Sequence, residues 1–134
     1  MDIACRVDSS NEIGVGHIMR CLTLADGLRK KNANVTFVCR DLPGHLGDLV
    51  IKKGYMLKLL PRPISDSTEQ SNNWLKTFWE IDVNETIASV GSKIDLMIID
   101  HYGIDNDWHR KASSITNKIM VIDDLANRLL SCDL

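Results

Sequence analysis

The chain has 134 residues, of which 44% are hydrophobic and 25% charged, with a formal net charge of −2. That is the size and composition of one soluble domain with a real core, and it leaves no room for a second. A sequence pI of about 6.0 gives no electrostatic basis for binding nucleic acid or an anionic membrane.

Residues 2–7 read as a first strand, followed by a glycine-containing turn, "NEIGVG". A helix over 16–31 comes next. Ile18, Cys21, Leu22, Ala25 and Leu28 form its apolar stripe at helical spacing, and Arg29, Lys30 and Lys31 supply cations to its last turn. "NVTFVCR" at 34–40 is a β-branched second strand. A helix over 44–53 stops at Gly54, and 55–60 form a third strand. The stretch 61–73, "PRPISDSTEQSNN", carries two prolines and many polar residues and reads as a loop; loops of this length usually serve a site. A helix over 79–90, a strand over 95–100, a short helix over 106–113 and a strand over 118–123 complete the series. Strands alternating with helices predict an α/β domain built on a mostly parallel sheet.

The longest strongly apolar run, "LMII" at 96–99, has the length of a strand and not of a membrane span. The N-terminus lacks the basic-then-apolar pattern of a secretory signal. Cys5, Cys21, Cys39 and Cys132 show no C-x-x-C spacing. Three fall inside predicted strands or the first helix, so reduced, buried thiols and a cytoplasmic location are expected. The chain ends on "LANRLLSCDL", which looks like the approach to another element and predicts a chain cut short.

Polar residues gather after the strands: Asp8, then Arg40 and Asp41, then Asp100, His101 and Tyr102, then Asp123 and Asp124 with Arg128 close behind. In an open parallel sheet these positions share one edge, so they converge on one crevice. The glycine turn departs from a dinucleotide fingerprint, because Gly14 and Gly16 are followed by Met19 where a third glycine is wanted. No Gly-Lys-Ser/Thr follows, so a P-loop is excluded. His17 falls in the first turn of the helix, where the positive end of the dipole disfavours an imidazolium and a neutral ring can accept a proton. Arg20 lies one turn on, along the same side. A general base and a capping or packing histidine are both compatible with this placement. Asp100, His101, Asp123 and Asp124 also form a candidate Mg²⁺ site, although consecutive residues diverge in direction.

Four ordered segments, "RVDSSNEIGVGHIMRCLTLADGL", "WLKTFWEIDVNET", "IIDHYGID" and "VIDDLANR", resemble the UDP-2,4-diacetamido-2,4,6-trideoxy-β-L-altropyranose hydrolases (PseG) of pseudaminic acid biosynthesis. They also resemble related polysaccharide-biosynthesis proteins, spore-coat ones included. That family is similar to GT-B glycosyltransferases such as MurG, with two Rossmann-like domains flanking the active site. The resemblance implies a hydrolase without metal or other cofactor, in which water attacks the anomeric carbon of a UDP-sugar with inversion and UDP leaves. It places the catalytic histidine at His17, within the turn formed by Gly14, Gly16 and Arg20. Asp8, Asp100, His101, Tyr102, Asp123 and Asp124 fall at its other motif positions and are expected to bind substrate. Two departures stand out. Leu129 and Leu130 occupy the neighbourhood where the family commonly has a histidine, and a C-terminal uridine-binding domain is missing. The chain is therefore expected to be a Rossmann-like N-terminal half, inactive by itself, that self-associates or meets a separate C-terminal half. Half of a sugar transferase, and a non-catalytic sugar-binding or interaction domain, are the alternative readings.

Overall fold

The computed structural model describes residues 1–63 and 71–122. Its elements in chain order are β1 (Asp2–Val7), α1 (Gly16–Arg29), β2 (Asn34–Arg40), α2 (Gly47–Lys52), β3 (Met56–Leu60), α3 (Ser71–Thr77), α4 (Trp79–Val90), β4 (Ile94–Asp100), α5 (Asn106–Ala112) and β5 (Thr116–Val121). The five strands are all parallel and run in the order β3-β2-β1-β4-β5. This is a Rossmann-like α/β arrangement. The chain builds outward from β1 to β3 and then crosses back to β4, so the strand order reverses between β1 and β4. A crevice opens beyond the carboxyl ends of the strands at such a reversal.

Strand parity decides which residues face which helical layer, because alternate side chains on a strand point to opposite faces. Ile3, Cys5 and Val7 of β1, Phe37 and Cys39 of β2, and Ile98 of β4 pack with Ile18, Cys21, Leu22 and Ala25 of α1 and Val50 of α2. On the other face Ala4, Met97 and Ile99 pack with Trp74 and Leu75 of α3, Val83 of α4, and Trp108 and Ala112 of α5. Asp100 shares the parity of Ile98 and so faces the α1 layer. Arg6 shares the parity of Ala4 and faces α4 and α5.

Several predicted boundaries move. The stretch 61–73 does not stay a loop to its end, because α3 begins at Ser71; Trp74 and Leu75 are buried there, and burial overrides the polar composition of its start. The second helix begins at Gly47, not 44. Gly44 takes a left-handed φ of 80°, and a tight turn with His45 N–H donating to the Leu42 carbonyl precedes the helix. The fifth strand starts at Thr116 and ends at Val121, two residues before the predicted range. Its first half exposes Asn117 and Lys118, so a sheet-edge position masks the apolar signal.

Candidate active site

The loop between β1 and α1 is set by its own hydrogen bonds. Ser10 Oγ accepts from the Ile13 N–H at 2.8 Å and the Glu12 N–H at 3.2 Å, while the Gly14 N–H donates to the Ser10 carbonyl. Gly14 has a φ of 86°, which disfavours any other residue. Among the described residues no atom other than those of the glycines' own chain neighbours and helix stands within 4 Å of where a Cβ would sit on Gly14 or Gly16, so none of the described residues fills the space beside either glycine. The loop is tied down from outside as well: Asn11 N–H donates to the Pro43 carbonyl and Leu46 N–H to Ser9 Oγ.

Val15 is the N-cap residue of α1 and offers no side-chain cap. His17 is the second residue of the helix, as expected. Its Nδ1 lies 2.6 Å from Asp100 Oδ1. An ionised carboxylate can only accept, so Nδ1 carries a proton, and Arg20 Nη2, itself only a donor and 3.2 Å from that Nδ1, is a neighbour of it and not its hydrogen-bond partner. In the neutral ring of this form Nε2 keeps its lone pair. Among the described residues nothing is hydrogen-bonded to that Nε2. Arg20 grips the same carboxylate with two donors, Nε to Oδ2 at 2.5 Å and Nη2 to Oδ1 at 2.6 Å. Asp100 is fully buried. Burial alone would raise its pKa, but the bonds from Arg20 and His17 outweigh that and hold the carboxyl below its usual range. Tyr102 meets the His17 ring edge-to-face, with centroids 4.6 Å apart. Asp8, Ile13, His17, Asp100, His101 and Tyr102 together line one small, tightly closed depression.

The next residue turns the other way. His101 Nε2 lies 2.8 Å from Asp8 Oδ2, and its Nδ1 accepts the Gly103 N–H at 2.9 Å. Asp8 also accepts from Arg6 Nη1 and from the Arg40 N–H, both at 2.7 Å. Burial again opposes ionisation, but Arg6 and His101 keep Asp8 far below the ordinary carboxylate range. Asp100 and His101, neighbours in sequence, thus serve opposite layers of the domain.

Behind Asp8 lies an ionic cluster that sequence reasoning missed. Asp82 of α4 is fully buried and accepts from Arg6 Nη2 at 2.6 Å and Nε at 3.2 Å, Arg40 Nη2 at 2.5 Å and Trp108 Nε1 at 2.9 Å. Arg40 Nη1 also reaches Glu85 at 2.5 Å, and its guanidinium covers the Trp74 ring. The available signal was Arg6 itself, since a cation inside an apolar strand requires a buried counter-charge. Burial raises the Asp82 pKa, and Arg6 and Arg40 more than reverse it.

Of the residues singled out in the sequence, Asp8, Gly14, Gly16, His17, Arg20, Asp100, His101 and Tyr102 gather at the carboxyl ends of β1 and β4. Asp123 and Asp124 lie outside the described residues. Among the described residues no three His, Cys, Asp or Glu side chains are arranged to hold a metal ion. Also among them, no helix is long and apolar enough to cross a membrane.

The three buried carboxylates with depressed pKa values set an expected acid response. A group with a lowered folded pKa contributes stability above its unfolded value, about 3.9 for Asp, and that contribution is lost as pH falls through the folded value. Their contribution should therefore be level through neutral pH and be lost below about pH 4, by up to about 1.4 kcal/mol per pH unit for each of Asp8, Asp82 and Asp100. Urea midpoints measured between pH 7 and 2 check this; a flat profile below pH 4 would contradict the ionic network.

With this geometry established, sequence comparison adds a chemical context. No protein-family model matches the chain. Over 126 residues it is 34% identical to the UDP-2,4-diacetamido-2,4,6-trideoxy-beta-L-altropyranose hydrolase of Campylobacter jejuni, covering 92% of this chain and 37% of that protein. The chain is similar to a PseG hydrolase. It is also 30% identical over 127 residues to an uncharacterized protein of Methanocaldococcus jannaschii, of which it covers 22%. It thus spans well under half the length of either relative. The resemblance to PseG read from the four sequence motifs is supported by the Campylobacter match.

Proposed function

We propose that this chain is the water-activating domain of a nucleotide-sugar hydrolase, the N-terminal half of a GT-B-type pair acting in the cytoplasm. The observation that carries the reading is the His17–Asp100 hydrogen bond at the start of α1. It fixes the imidazole as the tautomer whose Nε2 can accept a proton, beside two glycines that leave room for a ligand. In the proposed reaction a water gives its proton to His17 Nε2 as its oxygen attacks the anomeric carbon. The bond from that carbon to the diphosphate oxygen breaks, its electron pair leaves with UDP, and the sugar is released with inverted configuration. Asp100 offsets the charge gained by the imidazole, which is the part a carboxylate plays beside a catalytic histidine. Arg20 and Tyr102 hold Asp100 and the ring in place, and the backbone around Gly14 and Gly16 receives the sugar.

The Campylobacter relative supports the substrate class, a UDP-linked diacetamido-trideoxyhexose, and the motif resemblance suggests pseudaminic acid or another surface polysaccharide as its destination. Asp123 and Asp124 belong to this reading through their motif alone. Product analysis on a protein extending to the length of that relative provides the test. UDP together with free, inverted sugar is expected, and transfer of the sugar to an acceptor hydroxyl would instead make the chain half of a glycosyltransferase. Turnover should survive EDTA; loss with chelator and recovery with Mg²⁺ would overturn the metal-free mechanism.

The 134-residue chain alone should show no turnover and only weak UDP binding by calorimetry. Donors aimed at the leaving diphosphate are worth about a hundredfold or more each. Without a wall to fix the anomeric carbon, the proximity advantage is also lost. Micromolar affinity for UDP would place the nucleotide site within this chain and sink the two-domain reading.

A further inference from the structure

Three consecutive residues after β4 divide their work in an unusual way. Asp100 holds Nδ1 of His17, Tyr102 abuts the edge of the same ring, and His101 between them points to the opposite layer. The His17 ring is thus held at two points by the two immediate chain neighbours of His101. His101 itself is 4% exposed, and both its ring nitrogens are engaged inside the protein, Nε2 with Asp8 and Nδ1 with the Gly103 N–H. A histidine bound in this way has neither nitrogen left to offer a substrate. What it can do is fix the backbone that carries Asp100 and Tyr102.

We propose that His101 is a positioning residue for His17: its bond to Asp8 anchors the turn at 100–103, and through Asp100 and Tyr102 that turn fixes the tautomer and orientation of the His17 imidazole. The proposal deepens the reading of His17 as the proton acceptor and rests on it. The anchor is rigid because Asp8 is itself held by the Arg6 guanidinium and the Arg40 N–H, and Arg6 is clamped by Asp82 of α4. A chain of hydrogen bonds therefore runs from α4, on the far layer, to His101, and the backbone between His101 and Asp100 carries the link to the ring on α1. Hydrogen bonds in such a buried network strengthen one another, and the outer partners of a working histidine decide which nitrogen bears its proton.

The two rings must then hold opposite tautomers, His17 protonated on Nδ1 and His101 on Nε2. Long-range ¹H–¹⁵N correlation spectra of the 134-residue chain at mildly alkaline pH read both directly. His101→Phe keeps a ring of similar bulk but no donor to Asp8. It should cost His17 its single tautomer, giving mixed or exchange-broadened signals, while the methyl resonances of Ile18 and Ile98 stay in place. His101→Gln, whose terminal amide can still donate to Asp8, should restore most of the wild-type His17 signal.

A His101→Phe chain whose His17 keeps its tautomer and shifts overturns the proposal. So does a wild-type spectrum with His101 protonated on Nδ1, a measurement that stands even if the phenylalanine variant does not fold. The readout needs no substrate. Absence of UDP-sugar turnover would count against the hydrolase reading and leave this result standing.

Discussion

Replacing His17 by alanine, in a protein that carries both halves, is expected to cut turnover by about a hundredfold or more, the usual contribution of a positioned general base. The fold should tolerate the change. His17 is buried at the N-terminal end of α1, but Asp100 would keep both of its bonds from Arg20, so no buried carboxylate is left unpaired. The cost is one charge-assisted hydrogen bond, less than about 3 kcal/mol. Initial rates of UDP release, set beside thermal unfolding followed by circular dichroism, separate the two effects. A variant that turns over at nearly the wild-type rate would remove His17 from the chemistry. One that simply fails to fold would show that the ring serves the structure.

Asp82→Ala should have the largest effect on stability. Its carboxylate answers two buried guanidiniums and the indole of Trp108, and Arg6 and Arg40 are themselves almost inaccessible to water. Removing it leaves cations with no solvent to turn to, which costs about 3–5 kcal/mol when one partner of a buried pair is lost. For a domain of this size that is roughly 10–20 °C in melting temperature. Asp26→Ala makes the control. Asp26 accepts from the Tyr55 hydroxyl and contacts Lys53 and Arg29 at the surface, where solvent screening leaves an ion pair worth little. Urea unfolding of both variants decides the matter, and equal midpoints would mean that the buried cluster contributes no more than a surface pair.

The two substitutions also mark where the sequence could and could not be read. β1 and β2 were legible to the residue, since both are short, largely apolar runs bounded by turn signals and buried in mid-sheet, where composition and environment agree. α1 was legible through its stripe, and it stops early because Asn32 takes a left-handed φ of 67° and turns the chain toward β2. α3 was hidden by a polar start, because the residues that drive its folding, Trp74 and Leu75, come late in it. In the site, the gathering of Asp8, His17, Asp100 and His101 follows from their places after strands and at a helix start. Which of them touch does not. Asp100 and His101 looked like one cluster, and strand parity sends them to opposite layers. Asp82 was the least visible, since a carboxylate on a helix ordinarily faces water. Only the register that puts Arg6 beneath α4 shows otherwise.

The packing of Cys5, Cys21 and Cys39 into the α1 layer has a use beyond filling space. All three side chains are buried and reduced, and burial pushes the Cys5 thiol up to about 12 and the other two higher still. A thiolate is the reactive form, so at neutral pH an alkylating reagent meets almost none of it until the layer parts. Labelling at these positions, resolved peptide by peptide, then reports how often the sheet and α1 separate. The three sulfurs act as built-in clocks for the opening of the half of the domain that carries His17.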